Sequence, residues 1–444
     1  MRFPVLTCIL MLSPLAWAAQ DETAPPVEAL SLQQALELAS ARNPEVVIGR
    51  ARQARAEAVR LQTGRAILPT VNLDATYLHA DLGLLGTSSV WPAVPELIAP
   101  WPDLSPIEGS ILGVQLVQPL VNVSAWHGRE QAARRLDAAR LRLARIADEV
   151  AVSTTEAYFG AVTAAELVQA AAGGRAAAQR ALEQAEGAYA EGLVPRLDLL
   201  NARTRLADME ARVARAEAAA IAAKSALRAV LGLESDTPLE LSDQVPEPPL
   251  DLATAGERPR ERADLRAMEE VVAAAESGVK SARAGRLPEV NLFARYQQVD
   301  LNQPLNYDDD DWIVGVNLTW TVFSGFGVQG AIGEAQATAG ELRAELGAQR
   351  RRAAREASDS RAWWQAELRA WQSARASVAG AEEALELAER RYAEGLGDMT
   401  DLLLAQANAL EASTQSLNAR YRALVAAQRH LLALGAQDPG RLPK

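Results

Sequence analysis

Four carboxylates stand out by their spacing: Glu183 and Glu186, then Glu386 and Glu389, each pair three residues apart. In a helix that interval puts both members on one face. Ringed around a mouth, such pairs favour cation passage or resist closure by mutual repulsion; the alternative is a solvated outer face. Other chemistry is scarce. The three histidines, His79, His127 and His430, are isolated, and their spacing builds neither a metal site nor a catalytic triad. No glycine-rich phosphate loop ends in Lys-Ser or Lys-Thr. These residues predict no enzyme, no cofactor and no metal.

A second constellation occurs twice. Tyr189-Ala190-Glu191-Gly192-Leu193, followed by Asp198-Leu199-Leu200, returns as Tyr392-Ala393-Glu394-Gly395-Leu396, followed by Asp401-Leu402-Leu403. Gly192 and Gly395 allow a left-handed helix end. Leu193 and Leu396 are then expected to be exposed, with Asp198 and Asp401 placed to cap the returning helices. An ordinary helical-hairpin turn remains the alternative. Further upstream, Leu68-Pro69-x-Val71-Asn72-Leu73-x-Ala75-x-Tyr77 matches Leu287-Pro288-x-Val290-Asn291-Leu292-x-Ala294-x-Tyr296. Two matched blocks in the same order make the chain a tandem duplication of units of roughly 200 residues.

The elements that carry these residues follow from proline placement and periodicity. No proline occurs between Pro119 and Pro195 or between Pro304 and Pro439, and those gaps are rich in strong helix formers. Leu136, Ala139, Leu143, Ile146 and Val150 recur three and four apart, while Leu410, Leu417, Leu424 and Leu431 are spaced by seven. Such seams require partner helices in a left-handed supercoil. Helices from about Trp126 to Tyr189, on the order of 100 Å long, and from about Val328 to Tyr392 are predicted. Gly173-Gly174 marks a place for a bend or register change.

A strand pair precedes each long helix. Val71, Leu73, Ala75 and Tyr77 alternate with Thr70, Asn72, Asp74 and Thr76; Leu112, Val114, Leu116 and Leu120 share one side of the partner strand. In the second unit Val290, Leu292, Ala294 and Tyr296 oppose Asn291, Arg295 and Gln297, and Trp312 through Val322 alternate with Gly315, Asn317 and Thr319. Alternation over about ten residues suits a tilted strand that crosses a bilayer, polar side toward water and apolar side toward lipid. Asn72, Asp74, Asn291, Arg295 and Asn317 are then pore-lining, and Tyr77, Tyr296, Trp312 and Trp320 fit an interfacial aromatic girdle. The first hairpin connection, 82–110, is longer than the second, 301–310, which ends in Asp308 to Asp311; longer loops belong on a barrel's outer face.

Residues 1–18 read as a secretory signal peptide: Arg2, an apolar run from Val5 to Leu15, then Ala16-Trp17-Ala18 as a cleavage site. The only cysteine, Cys8, falls inside it, and Thr7 fits a lipoprotein signal poorly. The first repeat is set at 19–232, a proline- and acid-rich linker at 233–258, the second repeat at 259–435 and a tail at 436–444. A net charge of −12 without a dense basic run excludes nucleic acid as a partner. No later stretch approaches the ~18 consecutive apolar residues of a membrane helix, so a membrane role falls to the strands.

Four strands cannot close a transmembrane barrel, because open edges in hydrocarbon leave backbone groups unpaired at several kcal/mol each. Closure requires several chains: two supply 8 strands, three supply 12 and room for a lumen. The residues resemble the TolC-like outer membrane efflux proteins. The resemblance runs from Leu30 to about Leu434 and rests on Leu30-Ser31-Leu32-Gln33-Gln34-Ala35-Leu36 with Asn43-Pro44, both Leu-Pro-x-Val-Asn-Leu strand starts, Gly113–Leu116 and Gly315–Leu318, and the two Gly-Leu turns. It implies a mainly α fold with a membrane β-barrel: duplicated β-β-α-α units, and a homotrimer whose 12-stranded outer-membrane barrel continues into a periplasmic helical barrel. It implies an exit duct whose Gly-Leu turns meet a periplasmic adaptor linked to an inner-membrane transporter. The chain departs from the pattern by placing Glu191 and Glu394, rather than a small apolar residue, before each glycine. The rival reading is a periplasmic coiled-coil scaffold whose amphipathic strands pack on its own helices.

Overall fold

The computed structural model describes residues 29–80, 107–252, 262–301 and 307–435. The expected signal peptide, most of the first hairpin connection and the tail lie outside them. In chain order the elements are α1 (Leu32–Arg42), α2 (Pro44–Gly64), β1 (Thr70–Ala80), β2 (Ile107–Val121), α3 (Val123–Ala190), α4 (Arg196–Leu231), α5 (Ala263–Ala284), β3 (Glu289–Leu301), β4 (Tyr307–Thr319), α6 (Gly327–Ala393) and α7 (Met399–Leu434). The strands form one antiparallel sheet in the order β1-β2-β3-β4, so hairpins from the two repeats lie side by side.

The sheet and the helices are joined end to end, not stacked. No strand packs along a helix among the described residues. Helix α3 collects α2, α4, α5 and α7 along its length, and α6 runs beside α5 and α7. The helix pair at Gly173-Gly174 is unbroken. A Cβ on Gly174 would sit 2.9 Å from Leu410 Cδ2 and 3.4 Å from Met209 Sδ, so this glycine admits a close three-helix approach in place of the expected bend.

The principal core lies midway along the helices, where the entry segment and the inter-repeat connector wrap them. Tyr158, fully buried, donates its hydroxyl to the Leu30 carbonyl (2.7 Å) and accepts from Asp243 N–H (3.2 Å). The Asp243 carboxylate accepts from Leu32 N–H at 2.7 Å, and Leu30 bridges in parallel to Leu241. Ser31 and Gln34 close a capping box on α1. Asn43 caps α2 through Glu45 N–H (2.9 Å) and donates to the Val230 carbonyl (2.7 Å), so one side chain starts a helix and pins it to the end of α4.

Candidate functional site

Directly opposed residues of an antiparallel ladder share a sheet face. Asn72 opposes Gln115, Gln115 opposes Arg295, Asp74 opposes Gly113, and Asn291 opposes Asn317. The register therefore gathers all five expected pore-lining residues, Asn72, Asp74, Asn291, Arg295 and Asn317, on one face. That face is less polar than alternation alone suggested. Phe293, Val117, Ile111, Val299 and Ile313 share it, and the Phe293 ring lies over Gly315, where a Cβ would come within 2.9 Å of it.

The opposite face carries Val71, Leu73 and Tyr77 of β1, Leu112, Val114 and Leu116 of β2, and Trp312, Val314, Val316 and Leu318 of β4. It is open: Leu73 is 71% exposed and Trp312 76%. Tyr296 stands opposite Trp312, and its hydroxyl donates to Asp310 at 3.2 Å. Tyr77, opposite Ser110, lies toward the same end of the sheet. Trp320 corrects the single-girdle expectation. It lies one residue past β4 at the helix-proximal margin, donating its indole N–H to the Arg286 carbonyl (3.1 Å), so the aromatics mark two margins. Asp308 to Asp311 likewise belong to β4 and not to the connection; Asp308 opposes Asp300 on the outer face, beyond the apolar band.

At the far end of the helices the two turns have the same construction. Leu193 N–H reaches the Ala188 carbonyl (2.8 Å) and Gly192 N–H the Tyr189 carbonyl (3.0 Å), with Gly192 at φ 76°. Leu396 and Gly395 repeat this onto Arg391 (2.8 Å) and Tyr392 (3.1 Å), with Gly395 at φ 72°. Both are Schellman ends, which only glycine enters without strain. Leu193 is 72% exposed and Leu396 67%, so each turn presents a bare leucine. Asp198 and Asp401 do not cap as expected. Pro195 starts α4 with no side-chain cap, and Asp398 caps α7, accepting from Asp401 N–H at 2.7 Å. Asp198 and Asp401 sit in the first turns, where a carboxylate is favoured by the helix dipole.

The two tips are joined. Ala181 and Ala185 of α3, Ala202 of α4 and Met399 and Leu402 of α7 bury one another, with Leu182 of α3 and Leu385 and Tyr392 of α6 against them. Burial raises the Tyr392 hydroxyl pKa, and the Asp198 carboxylate adds to it. The carboxylates Glu183, Glu186, Glu386 and Glu389 are all exposed. They are not uniformly bare: Glu186 pairs with Arg203 of α4 (3.1 Å), Glu386 pairs with Arg390, and Glu183 accepts from Gln179 (2.9 Å).

An amphipathic sheet whose apolar face is open among the described residues, rooted in helices of 68 and 67 residues, defines an outer-membrane β-barrel component extended by a helical tube. The chain belongs to the outer membrane efflux protein family, whose model matches residues 35–233 and 259–436. It is similar to the proteases secretion protein PrtF of Dickeya chrysanthemi, 26% identical over 324 residues, 70% of this chain and 69% of PrtF. Among solved structures it resembles the outer membrane protein VceC of Vibrio cholerae (TM-score 0.75, 22% identity, 91% of this chain and 96% of that one). It also resembles the MtrE outer membrane channel of Neisseria gonorrhoeae (TM-score 0.73, 19% identity, 91% and 89%). These structures share its fold. The chain is accordingly an outer-membrane exit duct, with its helices in the periplasm.

Proposed function

We propose that three copies of this chain close one 12-stranded barrel and one helical tube, which passively conduct cargo delivered by an inner-membrane transporter through a periplasmic adaptor. One observation carries the reading: a four-stranded sheet whose edges β1 and β4 are unpaired, and whose apolar face is uncovered, among the described residues. An even number of alternating strands lets β4 of one copy pair antiparallel with β1 of the next, a head-to-tail contact that closes into a ring. The scaffold alternative required strands packed on helices, and among the described residues the strands do not lie there.

In this reading Gly192, Leu193, Asp198, Gly395, Leu396 and Asp401 form the adaptor-docking tip. Glu183, Glu186, Glu386 and Glu389 line the periplasmic mouth. Their ion pairs with Arg203 and Arg390 support a mouth held partly by salt bridges instead of by bare repulsion. Asn72, Asp74, Asn291, Arg295 and Asn317 face the lumen. The similarity to PrtF supports protein export as one form of the cargo, within a role common to efflux and secretion machines. Purified protein in planar bilayers tests this: discrete, voltage-stable conductance steps are expected. Silent bilayers, together with recovery of the protein in the soluble fraction without detergent, would rule out the duct.

A further inference from the structure

The helices nearest the strands hold the same groove twice. In the first repeat α2, α3 and α5 line a groove of about 800 Å³; in the second, α3, α5 and α6 line one of about 650 Å³. Leu68 corresponds to Leu287, an offset of 219 that carries α2 onto α5, and Tyr189 to Tyr392, an offset of 203 that carries α3 onto α6. These offsets superpose the buried seams: Val46 and Gly49 fall on Leu265 and Met268, Leu136 and Val150 on Ala339 and Ala353. The lining differs in one respect. Arg52 and Arg55 of α2 and Arg135 and Arg142 of α3 line the first groove, Arg135 also reaching the rim of the second. Their counterparts are Val271, Ala274, Thr338 and Glu345. The duplicated fold therefore builds this groove with no basic residue at those four positions.

The four arginines are exposed, and none has an ion-pair or hydrogen-bond partner among the described residues. Arg145, a fifth, is engaged with Glu149 (2.7 Å). Asp264, the one carboxylate lining the groove among the described residues, is held by Arg262 (2.9 Å). Between the guanidinium groups the lining is apolar, with Val59, Leu143 and Ile146. Like charges in a walled cleft repel one another and focus their field on an entering anion. The groove faces the lumen. Sixteen residues separate Arg142 from Tyr158, which at about 100° per residue puts them about 160° apart around α3. Tyr158 points into the layer that the entry segment and the connector lay over the helices. That layer lies outside an open tube, so the arginine face lies inside it. Counted from Val123, residues 132–146 of α3 place the groove ~14–35 Å below the strands.

We propose that this groove is an anion-binding station in the wall of the duct, taking a small amphiphilic anion. The carboxylate, sulfonate or phosphate of such a ligand meets the planar forks of Arg52, Arg55, Arg135 and Arg142, and its apolar body lies on Val59, Leu143 and Ile146. The groove has the volume of a small-molecule site. The inference rests on the duct reading above. Its test uses the full-length protein in planar bilayers, with a naphthalenesulfonate as the anion and naphthalenemethanol as its neutral counterpart. The sulfonate should halve the conductance at a concentration about tenfold below that of the alcohol. A variant carrying Arg52→Gln, Arg55→Gln, Arg135→Gln and Arg142→Gln should conduct normally and lose that difference. Arg142→Gln alone should raise the half-blocking sulfonate concentration about threefold, and it decides the matter if the quadruple variant does not assemble. Arg140, eighteen residues from Tyr158, shares the outer face, so Arg140→Gln should leave the block unchanged. Equal block by both compounds, or an unaltered sulfonate block in Arg142→Gln, overturns the station. So does an equal loss in Arg140→Gln and Arg142→Gln, the mark of a long-range field without a site. A wild-type protein that passes no current overturns the duct reading itself.

Discussion

Trp364 of α6 and His430 of α7 lie in a parallel, offset stack, with ring centroids 5.8 Å apart and planes 9° apart. His430 is buried, its Nδ1 lies 3.0 Å from Ser360 Oγ, and its Nε2 has no hydrogen-bond partner among the described residues. Burial, with nearby Arg361 adding repulsion, holds the imidazole pKa below its ordinary value. A depressed histidine contributes stability above the unfolded-state value of about 6.5 and loses it as pH falls through the folded value. Thermal midpoints in detergent should therefore decline as pH drops below about 6.5, and His430→Leu should remove that part of the decline. An unchanged slope in the variant would show that carboxylates alone set it.

Arg262 ties three helices together. Its buried guanidinium holds Asp264 (2.9 Å) and Glu356 (2.7 Å) and lies 3.4 Å from the Ala433 carbonyl, beneath Gly435. Burial alone would raise Asp264, but the hydrogen bonds and charge of Arg262 outweigh it and hold that carboxyl below its usual range. Arg262→Ala should cost about 3 kcal/mol, near the low end for a broken buried pair because Glu356 is half exposed, measured by denaturant titration.

The adjacent glycines of α3 should respond in opposite directions. Nothing lies within 4 Å of a Cβ on Gly173, so Gly173→Ala should stabilise by ~0.5–1 kcal/mol through helix propensity. Gly174→Leu should instead cost ~1–3 kcal/mol by driving into Leu410 and Met209, read from the same melts.

At the tip, Leu193→Asp with Leu396→Asp should abolish export while leaving assembly intact, because both side chains are exposed. Export assays and native mass together check this; lost assembly would make the leucines structural. Gly192→Ala, forced into φ 76°, should cost about 1 kcal/mol without removing the apolar contact.

Much of this architecture was legible in the sequence because it is carried by local rules. Proline-free stretches and apolar periodicity placed the long helices within a few residues of 123–190 and 327–393, and the repeated Gly-Leu pairs announced the Schellman ends. What escaped depended on partners distant in the chain. Tyr158 belongs to no motif or apolar seam that the sequence shows, although it clamps Leu30 and Asp243; Gly174 reads as a place for a bend or register change, although it makes room for Leu410. Asp308 to Asp311 read as loop because aspartate disfavours strands, a preference overridden where β4 rises beyond the apolar band and its side chains are solvated. Asp198 and Asp401 were misread as caps because Pro195 and Asp398 already occupy those positions.

The central claim is that no single copy seals its sheet, so copies share one barrel. Native mass measurement of the detergent-extracted complex tests it most directly. Three chains per particle are expected, and a particle of one chain would contradict the account.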